Sequence, residues 1–466
     1  MPLILGTHSI KDTGYNVANS LRFNSGDSPY LTRTISSGSD ITKFTFSFWC
    51  KRSKLGGDQR IYSNENTTAK QIYIRFNNNN TFTVYHQAGG SDVLSFDTNA
   101  VFRDVSTWYH FHFVMDSTQS TESDRFKMHV NGVQITDFNS PVYPSSSEAA
   151  AFLNTNEKSN IGFRDGSGGQ HFDGYLTEVV LLQGVAEPYT SFGEFDEDSP
   201  TIWKPKDVSS LSRGTNGFYL DFEDSSSLGN DQGGSVNLTP NNLAAIDQST
   251  DTCTNNFATL NPLHYAHTTD ASDMPLSEGN LKANSSQGGS PYPYVHSTIA
   301  FESGKWYAEF KVVSANGSMI GIADGVSGSY FGDRSNDKAY FSDGNLYTGN
   351  TSFGSALSDN DILMVAVDLD NSKIYFGING TWQNSGDPTS GATGTGASSI
   401  GTSETGFWHF TVGDSSSPTP TIECNFGSPP YSISSGNADS EGFGNFEYAV
   451  PSGYFALCSK NLAEYG

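Results

Sequence analysis

Apolar residues recur at every second position over short runs along most of this chain. Phe44, Phe46 and Phe48 alternate with Thr45 and Ser47 ahead of Trp49 and Cys50, and the same period runs through Ser20–Phe23, Gln71–Phe76, Thr81–Tyr85 and Trp108–Met115. Successive side chains of a strand point to opposite faces, so a period of two predicts strands with one face buried. Turn clusters at Gly56-Gly57, Asn77–Asn80 and Gly89-Gly90 separate the runs, and Ser159–Phe163 with Phe172–Leu181 closes the series. From Pro200 to about Asn256 the pattern weakens into Ser, Asn, Asp and Gly, with one strand at Gly217–Phe222. A second series starts near Thr298 and continues through Trp306–Val313, Met319–Ala323, Ala339–Phe341, Ile362–Leu369, Lys373–Ile378, Phe407–Val412 and Thr421–Phe426.

Two widely separated stretches follow one plan, a strand ending in Asp, a turn, and a Lys-bearing strand that runs into Asn-Gly. The first is Phe111–Asp116 with Phe126–Gln134, the second Leu363–Asp368 with Lys373–Trp382. Asn-Gly between alternating apolar runs signals a two-residue hairpin, because both central residues of a type I′ turn need φ > 0. Its recurrence predicts two β-sandwich modules in tandem. The stretch 386–403, rich in Gly, Thr and Ser, is expected to be a long loop, either mobile or held by a partner.

Composition narrows the function classes. The 466 residues give room for two or three domains, and with Phe 32, Tyr 22 and Gly 48 the mixture suits short strands and tight turns rather than long helices. Asp+Glu 50 against Lys+Arg 25 gives a net charge of −25, which repels phosphate backbones and anionic lipid, so nucleic acid and membrane are not expected partners. Cys50, Cys253, Cys424 and Cys458 lack metal or disulfide-framework spacing, and Cys50 continues the Phe44, Phe46, Phe48 face as a small core residue. There is no 18-residue apolar run, and Met1–Gly6 is too short for the apolar region of a signal peptide.

Phe44–Trp49, Trp108–His110, Val130–Val133 and Phe172–Val179 together give the first module a pattern that resembles the laminin-G-like members of the concanavalin A-like sandwich family. In the second module, Gly304–Phe310 looks like the opening strand of a SPRY domain and Asp361–Trp382 like its central hairpin. The pairing of the two, with the Asp247–Thr252 connector and the terminal Gly453–Cys458 phrase, resembles a group of virion proteins of marine bacteriophages. That resemblance implies a structural particle component, a tail or head appendage that meets the host surface.

Candidate chemistry is sparse. Glycosidases of this fold class set two carboxylates on one strand face, and the nearest approach, Glu194 to Asp198, lacks the final Glu and an apolar strand, so it reads as a solvated acidic loop. His110 and His112 share a strand face with Trp108 and Val114, where packing is a simpler fate than shared metal ligation. The laminin-G resemblance raises calcium at a sheet rim; Asp104 and Asp124 are the acids to consider, and no metal site is assigned. Gly166–Gly169 reads as a loop, not a phosphate cradle, and no nucleophile elbow occurs. SPRY domains bind through loops at one end of the sandwich, which singles out Tyr330, Phe331, Arg334, Tyr347 and Trp382 as candidate ligand-binding residues for a peptide or a sugar ring.

The reading is an all-β chain of two tandem concanavalin A-like/SPRY sandwiches, antiparallel jelly rolls over 1–205 and 257–466, with a connector over 206–256 that lends a strand to the first. The expected role is a non-enzymatic virion protein without cofactor. It would be displayed on the particle as a homo-oligomer, with other virion proteins and a host cell-surface glycan or protein as partners. The rival is a lectin-like carbohydrate-binding adhesin, and after it a glycan-degrading enzyme. Met1–Leu5 is either a docking segment or a cap on the first sandwich.

Overall fold

The structure is a computed structural model that describes residues 12, 14–67, 70–150, 152–164, 169–266, 273–286, 290, 292–347, 351–415 and 419–466. The docking segment Met1–Leu5 and the core of the Gly166–Gly169 loop lie outside the described residues. The chain divides into two compact units, one ending at Thr254 and one over Asn255–Gly466.

The first unit is two seven-stranded paths packed face to face. One sheet runs Val133–Ile135, Phe126–Val130, Trp108–Asp116, Lys43–Arg52, Gly174–Gln183, Ser20–Phe23, Gln248–Ser249, and Phe218–Leu220 also pairs with Gly174–Gln183. The other runs Thr239–Asn241, Tyr30–Thr34, Lys158–Ile161, Gln59–Thr67, Lys70–Phe76, Phe82–Ala88, Ser91–Asp97. Phe46, Phe48, Phe82, Phe111 and Phe113 interdigitate between them, with Phe46 stacked on Phe113 at 5.6 Å and Phe82 on Phe111 at 4.2 Å. Cys50 belongs to this core, and all four cysteines are free thiols.

The polar face of Lys43–Arg52 is buried as well. Thr45, Ser47, Trp49 and Lys51 lie under the segment that follows Gln183, where Thr45 Oγ1 donates to the Val185 carbonyl at 2.9 Å and Lys51 meets Asp251. Residues 206–256, expected to lend one strand, supply three to this unit, Phe218–Leu220, Thr239–Asn241 and Gln248–Ser249.

The second unit repeats the architecture. One sheet runs Leu260–Ala266, Tyr294–Ser297, His409–Asp414, Ser318–Ala323, Lys338–Phe341, Asn345–Tyr347, Thr351–Ser352. Its partner runs Leu276–Ser277, Lys282–Asn284, Thr421–Asn425, Lys305–Ser314, Ile362–Asp368, Lys373–Ile378, Thr381–Trp382. Trp306, Phe310, Val365, Phe376 and Phe410 fill the space between. Pairing is antiparallel except where Phe455–Ala456 lies parallel to Lys305–Ser314, just before the short helix Ser459–Tyr465.

Both Asn-Gly hairpins form, and they use the same bonds. Asn131 and Gly132 have φ of 48° and 76°, Asn379 and Gly380 48° and 84°, the type I′ pattern. Asn131 donates its N–H to the His110 carbonyl and accepts the His110 N–H on its side-chain oxygen at 2.7 Å. Asn379 repeats this with Ile362, at 2.9 Å for the side-chain bond. Each asparagine thus extends the ladder by one rung while turning the chain.

The stretch 386–403 is held by its own chain rather than left loose. It contains the turn Pro388–Thr393, capped by Asp387 accepting from Thr389 N–H, and Ser398–Ser399 pairs with Lys373–Ile378. Gly380 and Gly386 still differ in demand. A Cβ would lie 3.0 Å from its nearest neighbour at either site, the Tyr448 ring or the Gln383 carbonyl oxygen, but Gly380 has φ +84° whereas Gly386 has an ordinary φ of −64°. Gly380→Ala is expected to cost about 1 kcal/mol more than Gly386→Ala in denaturant unfolding; equal midpoints would contradict the turn assignment.

Candidate binding cleft on the first sandwich

Along Trp108–Asp116 the residues facing away from the core are Trp108, His110, His112, Val114 and Asp116, and the covering layer reaches only part of this row. Trp203, from the two-stranded hairpin Gly193–Phe195 and Trp203–Pro205, lies over His110 and donates its indole N–H to His110 Nδ1 at 3.0 Å. Ser47 Oγ sits 2.8 Å from His110 Nε2, so both ring nitrogens are engaged. Beyond Trp203 the cover ends, and His112, Val114 and Asp116 floor a cleft of about 530 Å³.

The walls come from Phe126–Val130 and the loop after Gln183. Register places His129 opposite His112, with their Nδ1 atoms 3.4 Å apart. His112 Nε2 lies 3.0 Å from the Glu187 carbonyl, and Tyr189 stacks on His129 at 4.3 Å and 19°. Burial, then the neighbouring His129, lowers the His112 pKa to about 3; burial, then Lys127, lowers that of His129 to about 4. Both are neutral hydrogen-bonding groups near neutral pH, not cations.

At the open end the charges are paired. Burial pushes the Asp116 carboxyl up, but hydrogen bonds from Thr118, Gln119 and Lys43 outweigh it and hold the pKa at about 2. Lys43 Nζ lies 3.0 Å from Asp116, and Lys127 Nζ 2.9 Å from Asp124. The open groove is thus lined both by apolar groups, Val114, Ala186, Pro188 and Tyr189, and by the polar side chains of Asp116, Gln119, Lys127 and Gln134. Such a groove accepts and donates hydrogen bonds beside a ring face; Asp116, held ionised, suits an acceptor and not a general acid.

The residues singled out in the sequence fall elsewhere. Tyr330 and Tyr347 do meet in the second unit, their rings 6.0 Å apart edge to face. Arg334 is committed to its own fold, paired with Asp324 and Glu404 and donating to the Val326 carbonyl at 3.1 Å. Phe331 is fully buried, 5.9 Å from the Tyr294 ring. Tyr347 lies on a strand rather than in a loop. Trp382 does not join this group, because it packs with Tyr307, Met364 and Tyr375 on the other sheet.

The remaining candidates have local partners. Glu194 and Asp196 lie on or beside the Trp203 hairpin and pair with Lys204 and Lys206, at 3.2 Å for Asp196 to Lys204. Asp104 accepts from Ser106 N–H at 2.8 Å, Asp124 pairs with Lys127, and His110 and His112 have separate partners. Among the described residues no three His, Cys, Asp or Glu side chains are placed to hold a metal ion. His129, Glu187 and Tyr189 were not singled out in the sequence. Counting register back from the Asp116 turn does pair His112 with His129, whereas nothing in the sequence places the Glu187–Tyr189 loop against them.

Residues 24–188, which hold nearly all of this cleft, match the family model described as the concanavalin A-like lectin/glucanases superfamily. No curated protein matches the chain. Among solved structures, the SPRY domain of human HERC1 is 18% identical over 35% of this chain and 96% of its own, with a TM-score of 0.27. A putative carbohydrate binding protein from Bacteroides ovatus is 14% identical over 49% of this chain and 59% of its own, with a TM-score of 0.35. Mouse laminin alpha1 domains LG4-5 are 11% identical over 96% of this chain and 90% of their own, with a TM-score of 0.31. At such TM-scores these likenesses carry no weight for ligand or partner. The family match thus lies within the first sandwich, whose residues 24–188 are similar to that superfamily.

Proposed function

We propose that this chain is a lectin-like, non-enzymatic binding protein whose first sandwich takes a glycan in the His112–His129 cleft. The carrying observation is the cleft itself: an exposed groove of about 530 Å³ lined by the Tyr189 ring together with carboxylate, amide and ammonium groups. A sugar presents an apolar ring face and a rim of hydroxyls, and this groove offers a match for each. The name of the family model matched by residues 24–188 supports the same direction. The sequence resemblance to marine phage virion proteins supports display on a particle as a homo-oligomer, with the cleft turned to host-surface glycans.

Full-length protein on a glycan array is expected to give specific signals. Tyr189→Ala should weaken them about five- to tenfold, the effect of losing one aromatic contact worth roughly 1–1.5 kcal/mol. Tyr347→Ala, in the second unit, should leave them unchanged. Binding that survives Tyr189→Ala and is lost with Tyr347→Ala would move the site to the second sandwich and refute this assignment.

A further inference from the structure

Lys51 and Asp251 stand 200 positions apart and meet inside the first unit. Nζ lies 2.8 Å from Oδ2, and each side chain is 1% exposed. Lys51 sits near the end of Lys43–Arg52 with Trp108 and Tyr175 as its cross-strand neighbours. Trp49, Trp108, Tyr175 and Trp203 form one buried aromatic cluster here. Asp251 is fixed through its backbone: its carbonyl accepts from Ser20 Oγ at 2.6 Å and its N–H donates to Ser249 Oγ at 3.1 Å. Trp108 Nε1 donates to its other carboxylate oxygen, Oδ1, at 3.2 Å.

A buried ion pair must overcome the desolvation of both charges, a cost that an uncharged amide does not carry. A lysine nitrogen 2.8 Å from a carboxyl oxygen, with bulk water excluded, also has the carboxyl carbon one bond further on, the partner it needs to form an amide. We propose that Lys51 and Asp251 condense into an intramolecular isopeptide bond.

The step needs no oxidant or cofactor. A proton passes from Nζ to Oδ2 along their hydrogen bond, leaving a free amine and a carboxylic acid. The nitrogen lone pair attacks Cγ, the N–C bond forms, and the carbonyl π pair moves onto Oδ1, where the Trp108 N–H stabilises the developing oxyanion. A second nitrogen proton moves to the Oδ2 hydroxyl, the Cγ–Oδ2 bond breaks, and water leaves. One ammonium and one carboxylate thus give one amide and one water. The register of Lys51 and the backbone bonds of Asp251 supply the positioning that makes such a step intramolecular in effect. The product ties the segment after Gln248–Ser249 covalently to the central strand of the sheet.

The test is the intact mass of purified, denatured full-length protein. The expected mass is that of the sequence less one water, and proteolysis should yield a branched peptide joining the Lys51 and Asp251 segments. Lys51→Arg and Asp251→Ala should each show the full sequence mass, a reading that holds whether or not the variants fold. A wild-type mass equal to the sequence, with Lys51 recovered in a linear peptide, would overturn the proposal. A water loss that maps to any other site would overturn it equally.

Discussion

Glu309→Ala is expected to destabilise the second sandwich by about 2 kcal/mol or more, since a buried donor left without an acceptor costs roughly 1–3 kcal/mol. Glu309 is fully buried on the outer face of Lys305–Ser314. Its Oε1 accepts from the Tyr307 hydroxyl at 2.9 Å and the Tyr448 N–H at 2.8 Å, and its Oε2 from the Glu447 N–H at 2.9 Å. These bonds hold down the segment whose Phe446 ring packs edge-on against Tyr307 at 5.0 Å. Alanine removes all three acceptors and frees the flap over a second apolar cluster that includes Tyr375 and Tyr454. Glu309→Gln keeps one acceptor oxygen and should cost less. Denaturant unfolding of the full chain measures both; a Glu309→Ala midpoint equal to wild type would show that the flap is held by other means.

Acidification should produce the second large effect. Burial, reinforced by neighbouring imidazoles, lowers the pKa of His110 and His296, brings His112 to about 3 and His409 to about 4, and burial also lowers His129 and His264. A histidine whose folded pKa is depressed contributes stability that is fully present above its unfolded value near 6.5 and is lost as pH falls toward the folded value. For His409, almost wholly buried, that loss is on the order of 3 kcal/mol by pH 4. Raised carboxyls work the other way: burial pushes Glu178 to about 8 and Asp337 to about 7, so their contribution is present at low pH and lost as pH rises through those values. The six histidines outweigh them, and melting temperature should fall steeply between pH 6.5 and 4. A flat or rising profile over that range would mean that these imidazoles are not buried as described.

Much of the scaffold was legible because it follows from period and turn chemistry. Phe44, Phe46 and Phe48 alternate, and they line the core; Asn131-Gly132 and Asn379-Gly380 name their hairpins, because few other pairs accept two positive φ values. The outer layer was hidden. Thr45, Ser47 and Lys51 are polar, yet segments distant in sequence bury them, and a period of two carries no trace of a third layer. The same blindness turned residues 206–256 into a connector with one strand, since strands of two or three residues bearing Pro240 or Gln248 have no alternation to show. Tyr330, Arg334 and Tyr347 were singled out as loop residues free to bind, but the place of Tyr347 on a strand and the pairing of Arg334 with Asp324 and Glu404 could not be seen. His129 was available through register; Tyr189 was not, because its place depends on how the loop after Gln183 folds back.

Hydrogen–deuterium exchange of the full-length protein, with and without the strongest glycan ligand from the array, tests the central claim most directly. A glycan in the cleft should slow exchange in residues 112–134 and 186–189 and leave the second unit unaffected. Protection confined to residues 324–347, or no change around Tyr189 at saturating ligand, would contradict a binding site on the first sandwich.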